Sequence, residues 1–222
     1  MKIVLCNGDS LGMPRESVLF EDTWFFKLSN NLPKEKFYCI NNFRRANTTN
    51  ALASKDFLEN YNPNIIIVQL GIVDCAPRIY NTNSIIIKII NRLPIFFKDF
   101  FWLISKKYKK RSQENAEVTL YKFKKNIEDF VERCKVLGVD RCIFIKIQIP
   151  GQVMIKKNPE IIESITQYNK VYDEFEALYS FVKVLNPLSE GNENWYIDDG
   201  YHVNKNGFQQ VFDSLITEFQ SC

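Results

Sequence analysis

The sequence contains a single histidine, His202, and no closely spaced pair among its six cysteines. Zinc sites take several Cys or His ligands, so the sequence offers no zinc site, and we expect neither a metal nor another cofactor. A surplus of one charge is also missing, because the net charge is only +3 and both signs are mixed along most of the chain. This balance argues against nucleic acid as a partner.

Long apolar runs are missing as well. No stretch reaches the roughly 18–20 apolar residues of a membrane span. The N-terminus begins like a signal peptide, but its apolar run meets Asn7 too early to be one. We therefore expect a buried first strand and a cytoplasmic protein. The cysteines are then expected to be reduced core residues: Cys6, Cys39, Cys75, Cys134, Cys142 and Cys222.

Apolar strand-like runs alternate with segments of helical period. The predicted strands cover 2–6, 36–41, 64–70, 142–149 and 181–185, and the predicted helices cover 17–30, 51–61, 120–137, 159–179 and 205–219. Gly138 follows the third of these helices as a candidate C-cap. The alternation is typical of a parallel sheet covered on both faces, in one domain spanning 1–222. Ligands of such sheets bind at the carboxyl ends of the strands.

Residues 79–111 do not fit the alternation and form an insertion after the third strand. From 85 to 111 the segment holds eight Lys or Arg and one Asp. One interpretation is two packed helices broken at Pro94, with a solvated basic end. The other is a cap beside the ligand site, or a docking surface for a membrane or a lipid-linked glycan. A homodimer interface would also explain its aromatic cluster, which comprises Phe96, Phe97, Phe100, Phe101 and Trp102.

The first chemical signal is Gly8-Asp9-Ser10-Leu11, directly after the first predicted strand. A serine on a tight turn at the carboxyl end of a strand is exposed where ligands collect. Its hydroxyl is a weak nucleophile and needs a base. The same residues could also form an Asp-Ser turn or a helix cap with no chemistry.

The second signal lies near the C-terminus, where Asp199 stands three residues before His202. If the loop brings them together, the carboxylate can hold one imidazole nitrogen and leave the other free for Ser10. That is the arrangement of a general base. A lone histidine is more often structural than catalytic, but its combination with a strand-end serine and a carboxylate favours catalysis.

Together these two blocks resemble the SGNH (GDSL-like) hydrolase superfamily, and the resemblance runs from Gly8 to His202. It implies a flavodoxin-like three-layer α/β/α sandwich with a five-stranded parallel sheet. It also implies attack by Ser10 on an ester carbonyl, with His202 as base and Asp199 as its carboxylate partner. Asp198 lies four residues before the histidine and is the less suited carboxylate.

The two middle blocks of the family fit less well. The family takes a glycine backbone amide from its second block, but residues 44–49 contain no glycine, so Ala46 or Asn47 would have to donate. The third block, normally GxND, runs from Gly71 to Asp74 as GIVD, so Val73 replaces the asparagine that donates to the oxyanion. We expect Gly71 and Asp74 of this block to be among the oxyanion or substrate-binding residues. Loss of one such donor costs roughly 2.7–4 kcal/mol of transition-state stabilisation.

Two side chains are candidates to replace the missing amide, Arg78 and Asn47. An arginine offers several donors and a permanent charge. Arg78 could instead cap the strand end by pairing with Asp74. The stretch GIVDCAPR, from Gly71 to Arg78, resembles the third block of SGNH-like proteins from bacterial surface-polysaccharide gene clusters.

These observations predict an acyl or acetyl esterase that acts on an acylated carbohydrate or another small-molecule ester. An O-acyltransferase that modifies a surface polysaccharide would form the same acyl-serine intermediate. A degenerate carbohydrate-binding module would explain the missing asparagine, and a lipid esterase would explain the aromatic insertion. The sequence leaves these alternatives open.

Overall fold

Five parallel strands form the centre of this computed structural model, which describes residues 1–15, 17–54, 57–82 and 84–220. Their order across the sheet is β2-β1-β3-β4-β5, and all neighbours are parallel, as predicted. The strands are β1 Lys2–Gly8, β2 Phe37–Phe43, β3 Ile65–Gln69, β4 Arg141–Ile145 and β5 Val182–Leu185.

Helices cover both faces of the sheet. They are α1 Trp24–Asn31, α2 Leu58–Tyr61, α3 Ile72–Cys75, α4 Ile85–Ile90, α5 Ile95–Tyr108, α6 Leu120–Val136, α7 Gln152–Lys157, α8 Ile161–Leu178 and α9 Lys205–Gln220. Successive strand residues point to opposite faces of the sheet. The continuous apolar runs of the central strands are therefore buried on both faces. Leu5 and Ile66 pack with α6 and α8, whereas Val4 and Ile67 pack with α1 and α9. The predicted three-layer sandwich is confirmed.

Two predicted helices are shorter than expected. The helix predicted over 17–30 begins only at Trp24, because the Thr23 side chain caps it by accepting from the Phe26 N–H. Before it, Arg15 and Val18 exchange two backbone hydrogen bonds, and Phe20–Asp22 forms a 3-10 turn that ends at Thr23. The helix predicted over 51–61 is a 3-10 turn, Thr49–Ala53, and then α2; residues 55 and 56 lie outside the described ranges.

The fourth strand was predicted to reach residue 149 but ends at Ile145, opposite the last residue of β5, Leu185. Beyond that point Asn169 of α8 takes the place of a neighbouring strand. Its side chain accepts from the Ile147 N–H at 2.8 Å and donates to the Ile147 carbonyl at 2.9 Å. Ile147 stays buried, so the apolar pattern continues where the strand does not. The chain then forms α7, which was not predicted.

The insertion after β3 consists of α4 and α5, broken at Pro94, which immediately precedes α5. The two ends of the insertion are held together by a pair of backbone hydrogen bonds between Arg78 and Ser112. The prediction of two helices broken at Pro94 is confirmed; residue 83 lies outside the described ranges. No helix within those ranges is long and apolar enough to cross a membrane.

The cysteines are free thiols wherever the structure describes them. Cys6, Cys75, Cys134 and Cys142 are buried in the core, and Cys39 is half-buried. Burial raises the pKa of the Cys6 and Cys75 thiols above its usual range, so both are protonated at neutral pH. Cys222 lies outside the described residues.

Candidate active site

Ser10 lies just beyond the carboxyl end of β1. In the sheet, β1 lies between β2 and β3. It opens a 3-10 turn, Ser10–Gly12, that is capped by the carboxylate of Asp9. One oxygen of that carboxylate accepts from the Leu11 N–H at 2.8 Å. The cap fixes the turn and leaves the Ser10 side chain half-buried at the edge where ligands of parallel sheets bind.

The loop before α9 brings His202 to the same edge. The hydroxyl oxygen of Ser10 lies 3.4 Å from Nε2 of His202. The other ring nitrogen, Nδ1, lies 2.6 Å from Oδ2 of Asp199. Oδ1 of Asp199 accepts the backbone N–H groups of Tyr201 and His202, each at 2.8 Å, so the carboxylate is fixed by its own loop. These contacts join Ser10, His202 and Asp199 in one chain.

The environment of His202 favours the neutral imidazole. Burial lowers the pKa of His202 below its usual value, and the positive charges of Arg15 and Arg45 lower it further, although Asp199 acts in the opposite direction. Burial alone would raise the pKa of Asp199, but hydrogen bonds from the His202 side chain and from two backbone N–H groups hold it below its usual value. A carboxylate bound to Nδ1 places the ring proton there and leaves Nε2 as an acceptor.

A third group reaches Nε2. The Arg15 guanidinium contacts this nitrogen directly, in the loop that follows the Ser10 turn. An arginine can only donate, so Nε2 is the acceptor in this contact, which agrees with a neutral ring protonated at Nδ1. Arg15 therefore shares with Ser10 the nitrogen that a general base would use.

A cavity of about 1170 Å³ opens beside this histidine. His202, Asp199 and Arg15 all line it. The remaining lining is mostly polar or charged and comes from the loops around residues 13–17, 45 and 196–206. Within the described ranges the insertion contributes no residue to this lining, and the expectation that residues 79–111 border the site remains a prediction.

The turn after β2 holds the two residues predicted to donate a backbone amide. Asn47 donates twice locally: its backbone N–H donates to the Arg44 carbonyl at 3.3 Å, and its side-chain amide donates to the Gly8 carbonyl at 3.1 Å. Ala46 adopts a left-handed backbone with φ of 55°, a conformation that favours glycine. Ala46 thus adopts a backbone conformation that favours glycine, in the second block, where the family has a glycine and this chain has none.

The third block is built into the core rather than into the cavity. Gly71, with φ of 116°, turns the chain from β3 into α3, and an added Cβ would lie 2.6 Å from the Ile147 side chain. Asp74 is fully buried and accepts from the Thr49 N–H at 2.9 Å and the Thr49 hydroxyl at 2.5 Å. Burial raises the pKa of Asp74 to about 6. We expected Asp74 and Gly71 to contact substrate, but both are enclosed by protein.

Arg78 neither pairs with Asp74 nor points at Ser10. Its guanidinium donates to the Val73 carbonyl at 3.2 Å and lies 3.9 Å from the Glu117 carboxylate. These contacts tie α3 to the segment before α6. Arg78 is therefore a poor replacement for the missing asparagine, and it also does not form the expected cap with Asp74.

The overall fold resembles that of several solved structures. A lipase/acylhydrolase from Enterococcus faecalis superposes with a TM-score of 0.67 at 15% identity, covering 100% of this chain and 96% of that one. The acetylxylan esterase Axe2 from Geobacillus stearothermophilus gives 0.61 at 13% identity, with 98% and 93% covered. A member of the lipolytic G-D-S-L family from Veillonella parvula gives 0.60 at 11% identity, with 99% of both chains covered. The fold is the SGNH hydrolase fold.

No protein-family model and no curated protein matches the sequence. The likeness to SGNH hydrolases therefore rests on the fold, while the roles of individual residues rest on the geometry of this chain. Within the described residues, no cluster of three or more His, Cys, Asp or Glu side chains could hold a metal ion.

Sequence reasoning missed Arg15 and Arg45. Both line the cavity, and both lower the pKa of His202. The one available signal was that Arg15 follows Ser10 by five residues on the same loop. The sequence does not show which loop arginine contacts the histidine. In the structure, the backbone of Arg15 is held by its pair of hydrogen bonds with Val18.

Proposed function

We propose that the protein is a serine-dependent ester hydrolase. The observation that carries this proposal is the continuous contact chain from the Ser10 hydroxyl through His202 to Asp199. A distance of 3.4 Å between Ser10 and His202 is long for a hydrogen bond, but such contacts tighten when substrate binds. The lowered pKa of His202 keeps the base neutral at physiological pH.

In the proposed reaction, Nε2 of His202 takes the Ser10 proton as the serine oxygen attacks the ester carbonyl. Asp199 stabilises the imidazolium that forms. The tetrahedral intermediate collapses to an acyl-serine, and His202 returns the proton to the departing alcohol. A water molecule then gives a proton to His202 as its oxygen attacks the acyl carbon. The bond to Ser10 breaks, the acid is released, and His202 returns that proton to the Ser10 oxygen.

The developing oxyanion needs donors, and Val73 cannot supply one. We propose the backbone amides of Ser10 and Ala46 as two donors, since the backbone N–H of Asn47 donates to the Arg44 carbonyl instead. Arg15 is the proposed third donor, because its guanidinium already lies at Nε2 beside the serine. A charged donor there would compensate for the missing asparagine.

The cavity supports a carbohydrate ester as substrate. Its volume of about 1170 Å³ is larger than the ~300–1,000 Å³ of typical small-molecule sites, which gives room for a saccharide. Polar groups such as Asp198 and Asn206 line it and can bond sugar hydroxyls. Axe2, with the same fold, is an acetylxylan esterase. We therefore propose an acetylated saccharide.

The direct test is hydrolysis of p-nitrophenyl acetate and of acetylated oligosaccharides by the wild type and by Ser10→Ala. Wild-type turnover that the variant lacks supports the proposal. A phosphonate ester should label Ser10, and a related esterase fold has been seen with monoethylphosphonate. If the wild type is as slow as Ser10→Ala and no phosphonate adduct forms, the hydrolase proposal fails and a binding module is favoured.

The same acyl-serine could pass its acyl group to a sugar hydroxyl instead of water. Adding a free saccharide to the p-nitrophenyl acetate assay distinguishes the two outcomes. Hydrolysis yields acetate whatever the saccharide concentration, whereas a transferase yields acetylated saccharide and releases p-nitrophenol faster as the acceptor increases.

A further inference from the structure

The helical insertion presents apolar side chains to solvent. On α5 the outward residues are Phe96, Phe97, Phe100, Leu103 and Ile104, which we call the outer face. Phe96 is 73% exposed and Leu103 is 68% exposed. Ile85 and Ile89 of α4 are exposed as well. Scattered exposed apolar residues are ordinary, but a contiguous set of this size marks an interaction surface.

The side of α5 that packs on the protein is a different one. Phe101 and Trp102 pack on Tyr80, with ring centroids 5.5 Å and 6.2 Å from its ring, and the Ser105 hydroxyl lies 3.5 Å from the Tyr80 hydroxyl. The outer face points away from these contacts. An ordinary surface helix turns its polar side to water. The amphipathic pattern of α5 therefore has no explanation within this chain.

Basic residues accompany the outer face. Eight Lys or Arg lie between residues 85 and 111, against the single acidic residue Asp99. They are Lys88, Arg92, Lys98, Lys106, Lys107, Lys109, Lys110 and Arg111. Within the described part of the chain, none of them forms an ion pair with a carboxylate. Their charge is available to a partner.

We propose that α4 and α5 dock on the surface of an anionic lipid bilayer, with the outer face entering the boundary between headgroups and acyl chains. Helices that lie in this boundary combine large apolar side chains with Lys and Arg. The apolar residues gain burial and the cations gain phosphate partners, so both unusual features of the insertion are explained by one occupant. This docking does not depend on the proposed ester hydrolysis.

A second copy of the chain fits the outer face less well. In a two-fold interface the same patch meets itself. The eight cations of one insertion would face the eight of its partner, with only Asp99 on each side to offset them. Charge complementarity therefore favours a negatively charged surface over self-association.

The orientation links docking to the candidate site. The backbone pair of Arg78 and Ser112 fixes the base of the insertion just beyond α3, at the carboxyl edge of the sheet. Ser10 stands at the same edge. A protein docked through the outer face would hold that edge near the lipid surface, where membrane-linked esters would be accessible.

Co-sedimentation with vesicles tests the proposal. Vesicles of phosphatidylcholine alone are compared with vesicles of equal parts phosphatidylcholine and phosphatidylglycerol. We expect the wild type to sediment with the anionic vesicles only. The triple variant Phe96→Ser, Phe100→Ser, Leu103→Ser should lose at least about tenfold in partitioning, because three large apolar side chains no longer enter the bilayer. Raising salt to about 0.5 M should weaken wild-type binding.

A matched control removes exposed apolar residues elsewhere. Tyr121, Val136 and Leu178 are 80%, 84% and 72% exposed on other helices, and their triple serine variant should bind like the wild type. Far-UV circular dichroism checks that both variants fold. Wild type that stays in solution with anionic vesicles overturns the proposal. So does equal loss in both variants, or a dimer by light scattering that only the outer-face variant dissociates.

Discussion

The guanidinium of Arg15 contacts Nε2 of His202, the ring nitrogen that also lies 3.4 Å from the Ser10 hydroxyl. A neutral imidazole protonated at Nδ1 has one lone pair at Nε2, so Arg15 and Ser10 compete for the same acceptor. Nε2 of His202 is therefore shared between the two side chains. Ser10 can form a full hydrogen bond to Nε2 only when Arg15 moves off this nitrogen. An incoming carbonyl oxygen, or an anionic group of the substrate, would draw Arg15 away.

Arg15→Ala should move the acid limb of the kcat/KM profile to higher pH. Burial lowers the pKa of His202 first, and Arg15 adds to this by charge repulsion. Removing the charge raises that pKa, and a base that must be neutral then becomes active only at higher pH. The measurement is kcat/KM for p-nitrophenyl acetate between about pH 5 and pH 8.

The conservative variant Arg15→Lys keeps the charge and should leave the limb close to its wild-type position. Lys183→Ala, at the far edge of the sheet on β5, serves as a control for charge changes in general. A limb that stays in place in Arg15→Ala, or moves to lower pH, would show that the guanidinium does not act on His202 in solution.

Ser10→Ala and His202→Ala should each abolish most turnover of p-nitrophenyl acetate. Because the two side chains act as one unit, the double variant should be little worse than either single variant. Steady-state kinetics on all three, with folding checked by circular dichroism, measures this. Multiplicative losses in the double variant would mean that the two residues act independently and that the contact chain is not a catalytic unit.

Val73→Asn restores the residue type that SGNH hydrolases place in the third block. Val73 is half-buried, and its carbonyl already accepts from Arg78, so the change adds a side-chain donor without removing that bond. We expect hydrolysis of a simple acetyl ester to rise by about tenfold or more. Val73→Leu is the matched control, which changes the shape without adding a donor. A folded Val73→Asn with unchanged kcat would mean that another group, such as Arg15, already occupies that position.

The strands and the two terminal motifs could be predicted from the sequence because local rules determine them. The buried run before Gly71 has no polar face for water, so it predicts a central strand. The turn residues around Ser10 directly follow another apolar run, that of β1. Asp199 and His202 lie on one short loop, so their contact needs no long-range packing.

The remaining site residues depend on tertiary contacts that no local pattern encodes. Asp74 was expected to be an oxyanion or substrate-binding residue, but it is buried and accepts hydrogen bonds from Thr49 on another segment. Arg78 is directed away from the cavity by Glu117, which is remote in sequence. The exposure of the outer face of α5 could not be predicted from the sequence either. Apolar residues at helical spacing predict burial, and the sequence does not show which face of the helix packs.

Asp9→Asn should remove a pH-dependent cost to folding. Asp9 is fully buried, and one of its carboxylate oxygens has no hydrogen-bond partner among the described residues. Burial raises the pKa of Asp9 from 3.8 to about 7. The folded protein therefore binds a proton that the unfolded chain releases, and stability falls as pH rises from about 4 to about 7. Between pH 5 and pH 8 the wild type should lose on the order of 3 kcal/mol through this group. An asparagine keeps the acceptor for the Leu11 N–H and carries no charge at any pH, so the variant should lose less.

Urea unfolding of both proteins at the two pH values measures the difference, and the contribution of Asp74, which both share, largely cancels. Asp99→Asn changes an exposed carboxylate and should follow the wild type. Parallel stability curves for the wild type and Asp9→Asn would show that Asp9 ionises in the folded protein as easily as in the unfolded chain, and that its burial is relieved by water.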